Sequence, residues 1–292
     1  MDAATDAPVS LVTGCSSGIG RALALELAGR GQRCFASARR PESLAPLAEQ
    51  GLDTLRLDVC DPGSVREAVA TLLERAGRID LLVNNAGQSL FGPLAELPLE
   101  RFDALLEVNL RGPLAVAQAV IPAMARQGSG RIAMVGSMVG VVPTPWVGAY
   151  AASKAALHTL SDALRMEVAP FGIEVVSVQP GAVRSEVASN APLDAEHYAR
   201  PEGLYRTVVD AMRKRSRASQ DAPMEADEFA RRLADALTRP RAPRVVRIGR
   251  GAGFLSAIDR LPGAWRDQLF ARAFGLGALG RDSERESGRA VP

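Results

Sequence analysis

The stretch Val9-Ser10-Leu11-Val12-Thr13-Gly14-Cys15-Ser16-Ser17-Gly18-Ile19-Gly20 carries the reading of the fold. An apolar, β-branched run ends in a glycine-rich turn, and the chain passes at once into the helical pattern of residues 19–30. In such a turn Gly14 bends the chain sharply, Gly18 lets backbone approach a pyrophosphate, and Gly20 lets the helix lie close on the strand. The free amides at the helix start then suit an anion. A glycine-rich turn alone is a weak signal, so the surrounding chain has to supply the context.

Outward from the turn the same rhythm continues. Strand patterns at 33–38, 54–57, 80–84, 130–136 and 173–178 alternate with helical ones at 43–50, 99–125 and 148–168, and another helix opens near the cap signal Asp61-Pro62-Gly63-Ser64. Runs as apolar as Ile79-Asp80-Leu81-Leu82-Val83 and Ile173-Glu174-Val175-Val176 imply burial on both faces of the sheet. The expected fold is therefore α/β: a doubly wound, Rossmann-type parallel sheet with helices on both faces, spanning residues 9–250 as a single domain. After Gln179-Pro180-Gly181 the rhythm breaks, and the polar residues 184–223 read as a lid. A helix near 225–238 and a last strand at 244–248 follow. Residues 1–8 read as a flexible N-terminus, 251–279 as an apolar C-terminal extension and 280–292 as a disordered tail.

Composition narrows the function. Among 292 residues, 47% hydrophobic and 23% charged, there is ample material for a core. The 35 basic and 33 acidic side chains leave a net charge of +2, which gives no electrostatic case for a nucleic-acid partner. Cys15, Cys34 and Cys60 form no Cys-x-x-Cys pair, and only His158 and His197 could join them around a metal, so no metal site is expected. The first residues lack the basic flank of a targeting peptide, and no apolar stretch approaches the ~20 residues of a spanning helix. The expected localisation is cytoplasmic. Lysine occurs only as Lys154 and Lys214 in a chain that otherwise writes its cations as arginine, so each lysine calls for a reason.

One lysine has a chemical reading. Tyr150 and Lys154 in Tyr150-Ala151-Ala152-Ser153-Lys154 stand one helical turn apart and share a face. A phenol of pKa ~10 is a poor proton donor or acceptor at neutral pH, and a neighbouring ammonium favours its phenolate. Ser137 would bond a substrate oxygen as charge develops on it.

The Gly-x-x-x-Gly-x-Gly spacing after Thr13, together with Ser137, Tyr150 and Lys154, resembles the short-chain dehydrogenase/reductase family over residues 9–183. The resemblance implies a catalytic set of Asn109, Ser137, Tyr150 and Lys154, with Asn109 kinking its helix and holding a water that leads from Lys154 to solvent. It implies that Asp58 in Leu57-Asp58-Val59 binds the adenine amino group, that Asn84-Asn85-Ala86-Gly87 braces the sheet and lines the groove, and that Pro180-Gly181 forms the nicotinamide-side turn. The implied cofactor contacts are Gly14, Ser16, Ser17, Gly18, Ile19, Gly20, Arg39, Asp58, Val59, Asn85, Ala86, Gly87, Tyr150, Lys154, Pro180, Gly181, Val183 and Ser185. At Ser185 the family more often has Thr, which keeps the hydroxyl.

Cofactor choice is read after the second strand, in Ala36-Ser37-Ala38-Arg39-Arg40. An acidic side chain there would bind a ribose 2′-hydroxyl, whereas Arg39 suits a 2′-phosphate, so NADP(H) is expected. Arg39 with the long tail resembles the branch of hydroxysteroid and retinol dehydrogenases and acyl-dihydroxyacetone-phosphate reductases. That implies a bulky, mainly apolar carbonyl or alcohol substrate, met at a mouth of Leu90, Phe91, Met138, Val139, Val141, Val142 and Val183. A sugar-nucleotide epimerase or dehydratase would carry a different glycine spacing and a longer C-terminal domain. A non-catalytic NADPH sensor would lack the Tyr or the Lys. His158 and His197 read as packed or solvated, Cys15 as a small filler, and Arg213-Lys214-Arg215-Ser216-Arg217 as a solvated helix face rather than a dock for an acidic carrier or lipid headgroup. The expected assembly is a homodimer or homotetramer, and the apolar tail reads as a substrate cover or subunit contact ahead of peripheral membrane contact.

Overall fold

A run buried at every position needs cover on both sides, and Val9–Thr13 (β1) is buried throughout. The computed structural model describes residues 7–185 and 193–279. Around β1 lie Arg33–Ala38 (β2), Asp53–Arg56 (β3), Leu81–Asn84 (β4), Gly130–Val135 (β5), Ile173–Val178 (β6) and Val245–Val246 (β7). They form one parallel sheet in the order β3-β2-β1-β4-β5-β6-β7. The order reverses between β1 and β4, and a crevice opens there beyond the strand ends.

Successive residues of β1, β2, β4, β5 and β6 feed opposite cores. Val12, Ala36, Val83, Ala133 and Val176 pack under Gly18–Gly29 (α1) and the helix Ala226–Leu237. Leu11, Phe35, Leu82, Ile132 and Val175 pack on the other side, under Pro62–Ala76 (α3), Gly112–Gln127 (α5) and Gly148–Val168 (α6). The Asp61 carboxylate accepts from Gly63 N–H at 2.8 Å and caps α3, with Pro62 in its first turn. Between β2 and β3 only Ala45–Ala48 (α2) is α-helical, after a 3₁₀ turn at Pro41–Leu44.

Leu99–Leu106 (α4) runs into α5 through a π-helical turn at Glu107–Arg111. The combined helix Leu99–Gln127 has 29 residues and is, by length and composition, apolar enough to cross a membrane. This corrects the expectation that no stretch reaches that length. Its apolarity serves the core, where Val116, Ala117, Val120, Ala123 and Met124 are buried against the sheet side.

The described part of the expected lid is more regular than its polarity implied. It contains Ala195–Tyr198 (α7) and Val209–Ala218 (α8), because Tyr198, Val208, Val209 and Met212 form a small core with Trp146. Ala226–Leu237 is α9, and β7 is shorter than the strand expected at 244–248. In the C-terminal extension Ala252–Ile258 (α10) and Gly263–Ala273 (α11) fold back, and Ile258 and Phe270 bury against Val142. Residues 1–6 of the expected N-terminal arm, 186–192 of the expected lid and the expected tail 280–292 lie outside the described residues.

Candidate active site

The crevice holds a cavity of about 440 Å³ whose wall follows the C-terminal ends of β1 to β6 in turn. At β1 the turn is fixed by Thr13 and Asn85. The Thr13 hydroxyl accepts from the Asn85 and Ala86 amides at 3.0 Å each, and Asn85 Nδ2 donates to the Thr13 carbonyl at 2.9 Å. Gly14 takes φ +74°, a backbone conformation that side chains rarely adopt. A methyl on Gly20 would collide with the Gly14 carbonyl and the Asn85 amide, so the helix can seat here only on a glycine. The Ser17 side chain does not cap α1, and Ser16, Ser17, Gly18 and Ile19 line the cavity. This cradle of open helix-start amides fits a pyrophosphate.

Other expected contacts fall on the same wall: Arg39, Asp58, Val59, Asn85, Ala86, Gly87, Pro180, Gly181, Val183 and Ser185. Arg39 is on the wall whereas Arg40 is not. Gly20 and Asn109 stand behind it and act through packing and hydrogen bonds.

Ser137, Tyr150 and Lys154 meet at the middle of the cavity wall. Burial pushes the Tyr150 phenol up from its ordinary pKa, and the hydrogen bond to Ser137 opposes that. The drop expected from Lys154 is therefore not what governs the phenol. The Lys154 Nζ donates to the Val135 carbonyl at 2.9 Å and lies 5.8 Å from the Tyr150 ring centre. Burial lowers its own pKa to about 8, so the ammonium is itself close to giving up a proton. Asn109 is fully buried in the π-helical turn and exchanges two hydrogen bonds with the Gln88 backbone, at 2.8 and 2.9 Å. It also donates to Ser153 Oγ at 3.0 Å, tying α6 to the loop after β4.

Sequence reasoning missed His158 as a positioning group. The Ser137 amide donates to His158 Nε2 at 3.3 Å, and burial pulls the imidazole down to about 4, so it is neutral and able to accept at neutral pH. Its place one turn beyond Lys154 on α6 was the available signal. His197 is half-buried, with Nε2 3.3 Å from the Glu96 carbonyl, and does not reach the cavity. Cys15 is buried and bonds the Val12 carbonyl at 3.2 Å, and burial raises its thiol.

The apolar end of the cavity departs furthest from the expected substrate mouth. Phe91, Met138, Val139 and Val183 line it, but Leu90, Val141 and Val142 do not. Leu90 packs on Leu105 and Ala149, while Val141 and Val142 anchor the C-terminal extension. Their places are taken by Arg215, Leu255 and Phe274, from segments far away in the chain. Trp146 helps set them. It holds φ 69°, costly for a bulky residue, while its carbonyl accepts from Gly92 N–H and its indole donates to the Phe274 carbonyl, each at 2.9 Å.

A phosphate cradle at the switch point of a parallel sheet, with a phenol, a hydroxyl and an ammonium beside it, defines a nicotinamide-dependent oxidoreductase. The chain belongs to the short-chain dehydrogenase family, whose model matches residues 8–196. It is 40% identical over 181 residues to the NADPH-dependent 1-acyldihydroxyacetone phosphate reductase of Schizosaccharomyces pombe, covering 61% of each chain. It is 42% identical over 192 residues to estradiol 17-beta-dehydrogenase 1 of Rattus norvegicus, covering 62% of this chain and 55% of that one. A solved short-chain dehydrogenase from Streptomyces avermitilis superposes with a TM-score of 0.76 at 29% identity, covering 95% of this chain and 98% of the other. The protein is a dehydrogenase/reductase that acts on small molecules with a nicotinamide cofactor.

Proposed function

We propose that this enzyme is an NADPH-dependent reductase of a bulky, mainly apolar ketone, or the dehydrogenase of the matching secondary alcohol. The observation that carries the reading is the continuity of one cavity from Arg39, past Ser137, Tyr150 and Lys154, to the apolar side chains Phe91, Met138, Val139, Leu255 and Phe274. When bound, the nicotinamide supplies the hydride chemistry. The Ser137 hydroxyl holds the substrate oxygen, with its backbone fixed through His158. Tyr150 gives that oxygen a proton, which its raised pKa makes it ready to carry at neutral pH. Lys154, with its pKa near 8, passes a proton on toward the phenol, and Asn109 holds α6 at the distance this needs. Arg39 would hold the 2′-phosphate, and Ser16 to Ile19 the pyrophosphate.

Arg215, Ala218, Ser219 and Gln220 close over the substrate end, and Leu255 and Phe274 cover it from the C-terminal side. The buried free thiols of Cys15 and Cys34 favour a reducing compartment, the cytoplasm. The exposed Phe254, Leu261, Trp265 and Leu269 favour a homodimer or homotetramer through the extension. NADPH oxidation should be followed with a steroid ketone, an aromatic ketone and a long-chain acyl ketone, against acetone and an aldose as small polar controls. Turnover of the bulky ketones with NADPH, and much slower turnover with NADH, is expected. Turnover confined to the polar controls, or to NADH, overturns the reading.

A further inference from the structure

The cationic run on α8 splits in two when folded. Arg213, Lys214 and Arg217 are exposed, and Arg213 pairs with Asp210 at 2.8 Å, as a solvated face should. Arg215 follows the buried Met212 by three positions, so the helix turns it inward with the apolar stripe. It lines the cavity between Phe91 and Phe274, its guanidinium carbon 5.9 and 5.4 Å from their ring centres. Nε and Nη2 both donate to Thr144 Oγ1, at 3.2 and 3.0 Å.

A hydroxyl and two rings carry no net charge. Arg131 faces Glu174 and Arg184 faces Glu225, but no described carboxylate faces Arg215. Burial is what lowers its pKa, to about 10, and it stays cationic at neutral pH. A partly desolvated guanidinium is costly without an anion, and Nη1 has no partner among the described residues. The planar fork is suited to two oxygens of one anionic group. Thr144 fixes one edge of the fork and the rings fix its plane, so the cation is held in place before any ligand arrives.

We propose that Arg215 is the anion-binding residue of the substrate site, and that the substrate is an apolar ketone or alcohol bearing a carboxylate or phosphate monoester away from its reacting carbon. The inference rests on the reading of this cavity as the substrate site of a reductase, and it narrows that substrate from apolar to amphipathic. Arg215 selects among substrates and takes no part in proton or hydride transfer.

The test separates binding from turnover. Calorimetric titration of the protein with decanoate, decyl phosphate and decanol compares two anions with a neutral chain of equal length. The anions should bind at least about tenfold tighter than decanol, the better of the two identifying the natural head group. Arg215→Met, which keeps the stem volume, should abolish the preference, and Arg215→Lys should restore part of it. Melting temperature and NADPH binding check that each variant is folded. In parallel, oxodecanoate and its methyl ester are compared as substrates with NADPH. The acid should be favoured about tenfold in kcat/KM in the parent and not in Arg215→Met. Equal binding of decanol and the anions, or an anion preference that survives in a folded Arg215→Met, overturns the inference even where both ketones are reduced. If neither ketone is reduced while decanoate still binds through Arg215, the anion site stands and the reductase reading fails.

Discussion

At the proposed nucleotide end of the cavity the wall is made of residues that directly follow β1, β2, β3 and β4, whereas at the proposed substrate end it is made of Phe91, Val139, Arg215, Leu255 and Phe274. The first set are neighbours because adjacent parallel strands end side by side. The second set are neighbours because α8 and the C-terminal extension fold back onto the loops after β4 and β5. Sheet hydrogen bonding holds the first, from Val12 opposite Ala36 to Leu11 opposite Leu82. The second is held by small apolar clusters and the Trp146–Phe274 hydrogen bond. A binding function common to a family can thus sit on the sheet, while selectivity sits on segments free to vary.

Tyr150→Phe acts where the two ends meet and should have the largest effect. Turnover should drop by ~10²- to 10⁴-fold with NADPH affinity nearly unchanged. Turnover within tenfold of the parent removes Tyr150 as the proton donor. At the nucleotide end, Arg39→Asp should lower kcat/KM for NADPH by roughly ten- to a hundredfold and raise it for NADH. Both cofactors are assayed at one ionic strength, and Arg40→Asp serves as control because Arg40 is off the wall. If Arg40→Asp shifts the preference more than Arg39→Asp, the assignment at this end is wrong.

Phe274→Ala probes the other end alone. It should raise KM for a bulky neutral ketone by about five- to tenfold, from the lost apolar contact, and leave the NADPH dissociation constant where it was. An equal loss on both ligands would mean that the two ends are not independent.

The smallest effect is on stability. Lys154 releases its proton near pH 8 when folded and near its ordinary 10.5 when unfolded, so between those values the unfolded chain binds more protons and stability gains as pH rises. Below pH 8 the buried ammonium costs its full penalty. Relative to Lys154→Met, the parent's melting temperature should therefore climb from pH 8 to 10, by a few degrees. Cys15, which Lys154 does not touch, contributes equally to both proteins and cancels in the difference. A flat difference would place the ammonium in a more solvated setting than its hydrogen bond to Val135 implies.

The strands at 33–38 and 173–178 and the helix at 148–168 were legible to the residue, because each is a long, strongly patterned run. Elements with few buried positions were not: the helix expected at 43–50 shortens to Ala45–Ala48, and the strand at 244–248 to Val245–Val246. Charge patterning reads Arg215 with its neighbours as solvated, whereas the buried Val209 and Met212 set a helical stripe that turns it inward. Leu90, Val141 and Val142 were assigned to the mouth from their hydrophobicity, which cannot distinguish a cavity wall from a core.

What the sequence alone determined is the parallel sheet, the glycine turn, and the residues that strand ends carry into the crevice. In each case the cause is local: backbone conformation at Gly14, helical spacing from Tyr150 to Lys154, or position next to a strand end. What only the tertiary structure decided is what lies opposite the catalytic face. Burial of Tyr150 and Lys154 displaces both from their ordinary pKa values, the His158 bond fixes Ser137, and Arg215 is enclosed between Phe91 and Phe274. Desolvation and long-range packing depend on groups distant in the chain, and no local pattern records them.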